Sequence, residues 1–278
     1  MNIIKFLDEF TNEGLLEKTT SRRGLMNSLG SFSKRAALAA VPFGLAGASS
    51  KLYAQSANGD PIAALQLALT LEYLEAEFYN MGTVSGGIVE TQGSAAEQTT
   101  FRQIAKHENQ HVAFLQGALG ADSIDSPMFD FTVGGAFDPF NEDSNVPAET
   151  SYAQFLALAQ AFEDTGVRAY KGQAGNLMGN DALLTAGLQI HSVEARHASQ
   201  VRRIRGLKGW ITRNERGAGM PEATQDVYNG EENIMQGGLD VTSLGSGSPF
   251  TVDASTQAYD EILTGDEAVD IASLFITS

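Results

Sequence analysis

The sequence predicts an all-α protein, a four-helix bundle of two antiparallel helical hairpins followed by a C-terminal extension. Four long segments carry apolar residues at intervals of three and four, the spacing that places them on one face of a helix. Short connections join the first segment to the second and the third to the fourth, whereas about thirty residues containing three prolines separate the two pairs. Two hairpins joined by one long crossover form a known connectivity of four-helix bundles.

Local signals set the boundaries of these helices. Asp60 is expected to cap the first helix, with Pro61 at its first position. Ser94 and Glu97 form the pattern of a capping box at the start of the second helix. The four predicted ranges are 60–79, 94–119, 151–177 and 181–205. One further short helix is predicted near the C-terminus, started by Thr264 or Asp266.

The N-terminal segment resembles a bacterial twin-arginine export signal. Arg22 and Arg23 precede a short, modestly apolar stretch that Pro42 interrupts, and a plausible cleavage point follows Ala54. The stretch is too short to span a bilayer. A basic segment without a targeting role and an uncleaved membrane tether are the alternatives. We therefore expect a periplasmic or otherwise exported protein with three parts: a signal over 1–54, a bundle over 55–205, and an extension over 206–278 that packs on the bundle.

The composition narrows the set of ligands and partners. The chain has 34 acidic and 18 basic residues and no basic stripe, which argues against nucleic acid as a partner. It has no cysteine, so disulfides, iron–sulfur clusters and thiolate zinc sites are excluded. Carboxylate and imidazole remain as the strong metal ligands.

The second and fourth predicted helices repeat a Glu-x-x-His motif on their apolar face. Glu108 precedes His111 by three positions, and Glu194 precedes His197 by three. Both pairs therefore interrupt an otherwise apolar stripe. Because an unpaired buried carboxylate is costly, a shared partner such as a metal ion is indicated. The ordinary alternative is a hydrogen-bonded pair on the surface of each helix.

The first and third predicted helices each add a glutamate seven residues before a tyrosine. Glu72 precedes Tyr79, and Glu163 precedes Tyr170, on the same helical face. The two hairpins therefore look like two copies of one unit. Glu75 lies in the same apolar arc and is the alternative to Glu72 as a ligand, although the tyrosine spacing favours Glu72.

Several neighbours of these motifs are candidates for supporting roles. Tyr79 and Tyr170 are expected to pack with a hydrogen-bonded hydroxyl. His191, one turn before the second Glu-x-x-His, either supports the site or is a partly exposed histidine. His107 is expected in solvent, because it lies about 100° from the apolar face. Gly166 is costly inside a helix and indicates a close contact or a kink.

With these motifs the sequence resembles the ferritin-like superfamily, in which two glutamates and two Glu-x-x-His pairs form a dinuclear carboxylate site. The export signal, "LEYLEAEFY" and the C-terminal segment resemble in particular the exported ferritin-like proteins related to plant desiccation-related proteins. The resemblance implies six ligands to two ions of iron or manganese: Glu72 and His111 for one ion, Glu163 and His197 for the other, and Glu108 and Glu194 as bridges.

The resemblance also implies a redox activity. The expected partners are metal ions and small oxidants, handled by a ferroxidase- or peroxidase-like or a manganese-catalase-like oxidoreductase. The alternative is a non-catalytic desiccation or stress protein whose metal site is structural or vestigial. The long crossover and the tail disfavour a closed storage shell, while a smaller homo-oligomer stays open. Iron and manganese both accept this ligand set.

Overall fold

The computed structural model describes residues 59–247 and 250–277, and its architecture is all-α, as predicted. The helices are α1 (Pro61–Thr83), α2 (Ile88–Gln92), α3 (Ala95–Leu119), α4 (Ala148–Leu177), α5 (Asp181–Ile204), α6 (Val252–Thr256) and α7 (Gly265–Ser273). Short 3-10 turns cover Gly120–Asp122, Glu222–Val227 and Val241–Ser243. Four two-residue strands pair antiparallel, β1 (Met128–Phe129) with β4 (Ile276–Thr277) and β2 (Met235–Gln236) with β3 (Leu239–Asp240).

The four long helices form the two predicted hairpins. Helix α1 packs along α3, α4 packs along α5, and α1 faces α4 across the bundle. The side chains of Asn80 and Asn109 are hydrogen bonded, as are those of Tyr73 and Gln116. Tyr73 precedes Asn80 in α1, whereas its partner Gln116 follows Asn109 in α3. The two helices therefore run antiparallel.

The predicted capping residues are confirmed at three helix starts. The Asp60 carboxylate accepts a hydrogen bond from the Ile62 amide at 2.9 Å. Ser94 and Glu97 form a complete capping box at α3. Thr264, not Asp266, caps the C-terminal helix α7. Polar side chains at these positions satisfy amides that have no partner inside the helix.

Two boundaries differ from the predicted ranges. Helix α1 continues past Tyr79 to Thr83, whose hydroxyl donates to the Tyr79 carbonyl at 2.7 Å. Helix α4 starts three residues before Ser151, because Pro147 fixes the backbone at the N-cap and its carbonyl accepts from the Ser151 amide. The short helices α2 and α6 were not predicted, since five residues show little periodicity.

Two apolar clusters fill the bundle on either side of its middle. One is rich in aromatic residues and draws on α1, α3 and α4, with Phe78, Phe101, Phe155 and Phe162 among its members. The other is mainly aliphatic, with Leu65, Leu69, Leu115, Leu119 and Leu183. On each long helix, the predicted metal ligands lie between these two clusters in the sequence. The bundle therefore holds its charged side chains between two apolar layers.

The segment after α5 packs on the outer face of α1 and α4. Its buried side chains include Tyr228, Leu263 and Ile271, which form one cluster with Leu67 and Ala157 of the bundle. Strand β4 adds a second attachment, because it pairs with β1 in the crossover between the hairpins.

The predicted export signal of residues 1–54 lies outside the described residues. Over the ranges 59–247 and 250–277, no helix combines the length and the apolar character needed to cross a lipid bilayer.

Candidate metal centre

The structure brings all six predicted ligands together in the middle of the bundle. They form two groups whose ligand atoms lie within 4.8 Å of one another: Glu72, Glu108, His111 and Glu194 in the first, and Glu108, Glu163, Glu194 and His197 in the second. Glu108 and Glu194 belong to both groups. All four glutamates are fully buried. Helical spacing explains the arrangement, because each Glu-x-x-His pair presents both side chains to the bundle interior.

In the first group, three carboxylates converge on one nitrogen. The Nδ1 atom of His111 lies 3.1 Å from Oε2 of Glu72 and 3.0 Å from Oε2 of Glu108. It also lies 3.2 Å from Oε1 of Glu194. One ring nitrogen carries at most one proton, so it cannot donate a full hydrogen bond to three acceptors. A cation among these atoms would interact with all of them.

The second group repeats this arrangement on the other side of the shared glutamates. The Nδ1 atom of His197 lies 2.9 Å from Oε1 of Glu108 and 3.3 Å from Oε2 of Glu163. Oε2 of Glu194 is more distant, at 3.8 Å. Each shared glutamate thus turns one oxygen toward His111 and the other toward His197.

Unpaired buried polar atoms support a cation at this place. Among the residues that the structure describes, these cluster atoms approach each other without hydrogen-bond geometry: Oε1 of Glu108, Oε2 of Glu163, both carboxylate oxygens of Glu194, and Nδ1 of His197. Leaving such atoms unsatisfied costs free energy, and buried polar groups almost always have partners. Carboxylate oxygens and an imidazole nitrogen are ligands that iron and manganese accept. The donor set therefore fits the implied metals.

Protonation in the cluster reflects burial and the two imidazoles. Burial, followed by the charge of Glu194, raises the pKa of Glu72 to about 8. Burial acts the other way on His111, but Glu72, Glu108 and Glu194 together raise its pKa to about 12. Burial also disfavours ionisation of Glu194, yet the proximity of the two histidines, His111 and His197, lowers its pKa to about 2. Without metal, the raised pKa values of Glu72 and His111 favour their protonated forms, and these protons would have to leave before a cation could bind.

Two tyrosines hold the outer glutamates from the opposite hairpin. The Tyr79 hydroxyl of α1 donates to Oε1 of Glu163 on α4 at 2.6 Å. The Tyr170 hydroxyl of α4 donates to Oε1 of Glu72 on α1 at 2.5 Å. Both hydroxyls are hydrogen bonded, as the sequence predicts. In each glutamate the other oxygen, Oε2, is left to face its histidine.

Glu75 is a fifth buried glutamate beside the two groups, but it belongs to neither. Burial and then the charge of Glu194 raise its pKa well above the ordinary value. Of the two first-helix candidates, the structure therefore places Glu72 among the converging atoms.

Gly166 makes room for these carboxyl groups. A Cβ atom at this position would lie 3.2 Å from Oε1 of Glu75 and 3.5 Å from Oε2 of Glu194. The close contact that the sequence indicates is therefore a contact with side chains of the centre. A glycine is unfavourable within a helix, but here its lack of a Cβ atom allows the carboxyl groups to approach the backbone.

The two remaining histidines differ from each other. Nδ1 of His191 lies 3.0 Å from the Val167 carbonyl, and His191 belongs to neither ligand group. The expectation that His107 is solvated was wrong. Its ring stacks on His197 with centroids 5.1 Å apart, and its Nδ1 lies 2.8 Å from Nε2 of His197. The sequence missed it because a helix in a bundle faces two neighbours, and a residue outside the central stripe can contact the second one.

An all-α bundle with a buried carboxylate and imidazole cluster at its centre defines a class of candidate metal proteins. The family model for the ferritin-like domain matches residues 60–207, more than half of the chain. The chain belongs to this ferritin-like family. No curated protein and no solved structure gave a match.

Proposed function

We propose that this chain is an exported dinuclear metal protein that uses iron or manganese to oxidise ferrous iron or to react with oxygen or hydrogen peroxide. One observation carries the proposal: the two ligand groups share Glu108 and Glu194. Shared carboxylates are suited to hold two ions side by side, which is the arrangement of dinuclear carboxylate sites in helical bundles.

The charge of the site supports two divalent ions. The six residues of the two groups offer four carboxylates and two imidazoles. Four ionised carboxylates with two neutral imidazoles offset the charge of two divalent cations. A fifth ionised carboxylate would exceed that charge, and burial keeps the pKa of Glu75 well above the ordinary value. In the metal-free protein, burial therefore favours the protonated form of Glu75 beside Glu194.

The chemistry divides between the metals and the protein. Bound iron or manganese would supply the redox change toward a small oxidant. Tyr79 and Tyr170 orient Glu163 and Glu72, and the apolar clusters above and below exclude bulk water. With 12% of its side chain exposed, His111 is the most accessible ligand, so solvent approaches the centre on the His111 side.

The export part of the proposal is supported by the sequence of the first 54 residues. Arg22 and Arg23 precede a weakly apolar run, the pattern that directs bacterial proteins to the twin-arginine route. This route carries folded proteins, so the metal can be loaded before export.

The proposal is tested by loading purified protein with Fe²⁺ or Mn²⁺ without oxygen, measuring bound metal by elemental analysis, and mixing it with oxygen or peroxide. We expect about two ions per chain and consumption of an oxidant. His111→Ala and His197→Ala should each lose one ion. The matched control His191→Ala should keep both, because His191 is hydrogen bonded to the Val167 carbonyl and belongs to neither ligand group.

Two results would contradict the proposal, each at a different level. Full metal occupancy in the His111→Ala and His197→Ala double variant would refute the metal site. A wild-type protein that binds both ions but reacts with neither oxidant would refute the redox function and favour a structural metal site.

A further inference from the structure

A chain of three polar side chains leads from the centre to the helix surface. His107, half-buried on α3, lies with Nδ1 2.8 Å from Nε2 of His197. On its other side, Nε2 of His107 lies 2.7 Å from Nε2 of the side-chain amide of Gln103, which is exposed. Neither His107 nor Gln103 belongs to a ligand group.

The direction of these hydrogen bonds follows from the ligand atom of His197. Its Nδ1 faces Glu108 and Glu163, so Nδ1 is the atom that would bind a cation and must carry no proton. The ring proton of His197 then lies on Nε2, which donates to Nδ1 of His107. His107 in turn carries its own proton on Nε2. Donation of this proton to Gln103 requires the Gln103 amide to be turned so that Oε1, in place of Nε2, faces His107.

Over residues 59–247 and 250–277, the other ligand group has no such chain. In the repeated hairpin unit, Glu194 and His197 correspond to Glu108 and His111, so the residue that corresponds to His107 is Val193. A valine offers no hydrogen-bond acceptor. In the part of the chain that the structure describes, the polar contacts of the His111 ring all involve its Nδ1 atom. The two candidate ion positions therefore differ in how their histidine is held.

We propose that His107 is a positioning residue for the ligand His197, and that it makes the two ion positions unequal. The inference rests on the proposed dinuclear site. By accepting from Nε2, His107 fixes the ring orientation and tautomer of His197 and makes Nδ1 a better donor to a cation. Groups that hold a ligating histidine in this way contribute about 10–100-fold to metal affinity.

Three substitutions separate the hydrogen bond from simple packing. His107→Phe keeps a ring that can stack on His197 but removes the acceptor. His107→Asn places an amide oxygen near the position of Nδ1 and should restore binding. His191→Phe is the matched control, since it removes a histidine of α5 that is hydrogen bonded to the Val167 carbonyl and belongs to neither ligand group.

The measurement is titration of metal-free protein with Co²⁺, followed by calorimetry and by the visible absorption of bound cobalt. His107→Phe should weaken one binding step about 10–100-fold and leave the other unchanged. The weakened step should be the one lost in His197→Ala. Adding His107→Phe to His197→Ala should change nothing further, because the hydrogen bond is already absent. His107→Asn should lie within a few-fold of wild type.

If His107→Phe binds Co²⁺ with the same two affinities as the wild type, the role of His107 is refuted while the proposed metal site stands. Equal weakening of both steps, or an Asn variant as weak as the Phe variant, would refute this role as well. A wild-type protein that binds no cobalt would overturn the proposed metal site and this inference with it. Long-range ¹H–¹⁵N NMR of the imidazoles tests the hydrogen-bond direction without metal: we expect the His107 proton on Nε2, and a proton on Nδ1 would refute the assignment.

Discussion

The hydroxyl of Tyr79 on α1 lies 2.6 Å from Oε1 of Glu163 on α4, in the opposite hairpin. Tyr170 and Glu72 repeat the contact in the reverse direction. Each hairpin thus orients the outer glutamate of the other. Because one carboxylate oxygen is held by the tyrosine, the second oxygen has a defined direction toward the centre. The two halves of the site are therefore coupled across the bundle before any ion binds.

Removing one of these hydroxyls should weaken one ion selectively. Tyr79→Phe leaves Glu163 free to rotate, so affinity at the Glu163 and His197 position should fall about 10–100-fold. Tyr170→Phe should do the same at the Glu72 position. Stepwise Co²⁺ titration measures both. Tyr73→Phe is the control, because its hydroxyl donates to the Ile124 carbonyl. Equal loss from all three variants would contradict a role at the site.

Gly166→Ala should disturb the centre although alanine favours helices. The added Cβ would lie 3.2 Å from Oε1 of Glu75, closer than ordinary contact. We expect lower metal occupancy and little gain in the free energy of unfolding. Gly175→Ala, on the same helix with no neighbour within 4 Å, should instead gain up to about 1 kcal/mol.

A second substitution tests the cause of this loss. Glu75→Ala removes the carboxyl that the new methyl group would crowd, so combining it with Gly166→Ala should recover occupancy relative to Gly166→Ala alone. Elemental analysis of all variants gives the comparison. If Gly166→Ala binds metal as wild type does, the glycine is not needed for space.

The metal-free protein should be less stable at pH 8 than at pH 5. Burial raises the pKa of Glu72 from 4.5 to about 8, and burial raises those of Glu75 and Glu163 as well. The folded chain therefore binds more protons than the unfolded chain, and stability present below 4.5 is lost as pH rises through about 8. His111, with a pKa raised from 6.5 to about 12, acts in the same direction above 6.5.

Bound metal should reverse this dependence, because the ligands must lose their protons to bind a cation. The rise in Tm on adding Mn²⁺ should therefore be larger at pH 8 than at pH 5. Calorimetry with and without chelator measures both effects. Glu194, with a pKa lowered from 4.5 to about 2, loses its contribution only as the pH falls below 4.5, outside this window. A Tm of metal-free protein that increases from pH 5 to pH 8 would contradict the account.

Export should depend on the arginine pair. Replacing Arg22 and Arg23 with lysine keeps the charge but changes the residues that define the twin-arginine pattern. We expect the precursor to accumulate inside a bacterial host, measured by fractionation and immunoblotting. The control replaces Lys34 and Arg35, which lie after the pair, with Arg and Lys. Unchanged periplasmic yield in the Arg22 and Arg23 variant would refute this route.

Helical periodicity and capping signals predicted the long helices to within a few residues, because each is encoded locally. The same periodicity placed Glu72, Glu108, Glu163 and Glu194 on inward faces, and the repeat of two motifs indicated that they meet. The structure brings them together, while their role as ligands remains a proposal. Local patterns can predict this because residues at helical spacing share one face of a helix, and in a bundle the apolar face points inward.

The contacts of His107 and the crossed tyrosine pairs could not be predicted in this way. They depend on the relative rotation and height of neighbouring helices, which no single helix specifies. Periodicity assigned His107 to solvent because it tests only for the central apolar stripe. The role of Gly166 is similar, since the carboxyl groups it admits come from α1 and α5.

The attachment of the C-terminal segment has a consequence for the order of folding. Arg168 of α4 is almost fully buried, and Glu231 pairs with its Nε at 2.8 Å. Its guanidinium also donates to the Asn229 and Ile262 carbonyls, 61 and 94 positions away. Without the tail, the Arg168 guanidinium would lose these acceptors and face solvent on the surface that the tail covers. We therefore expect a chain that terminates before Asn229 to pack its bundle incompletely and to be cleaved more readily by proteases.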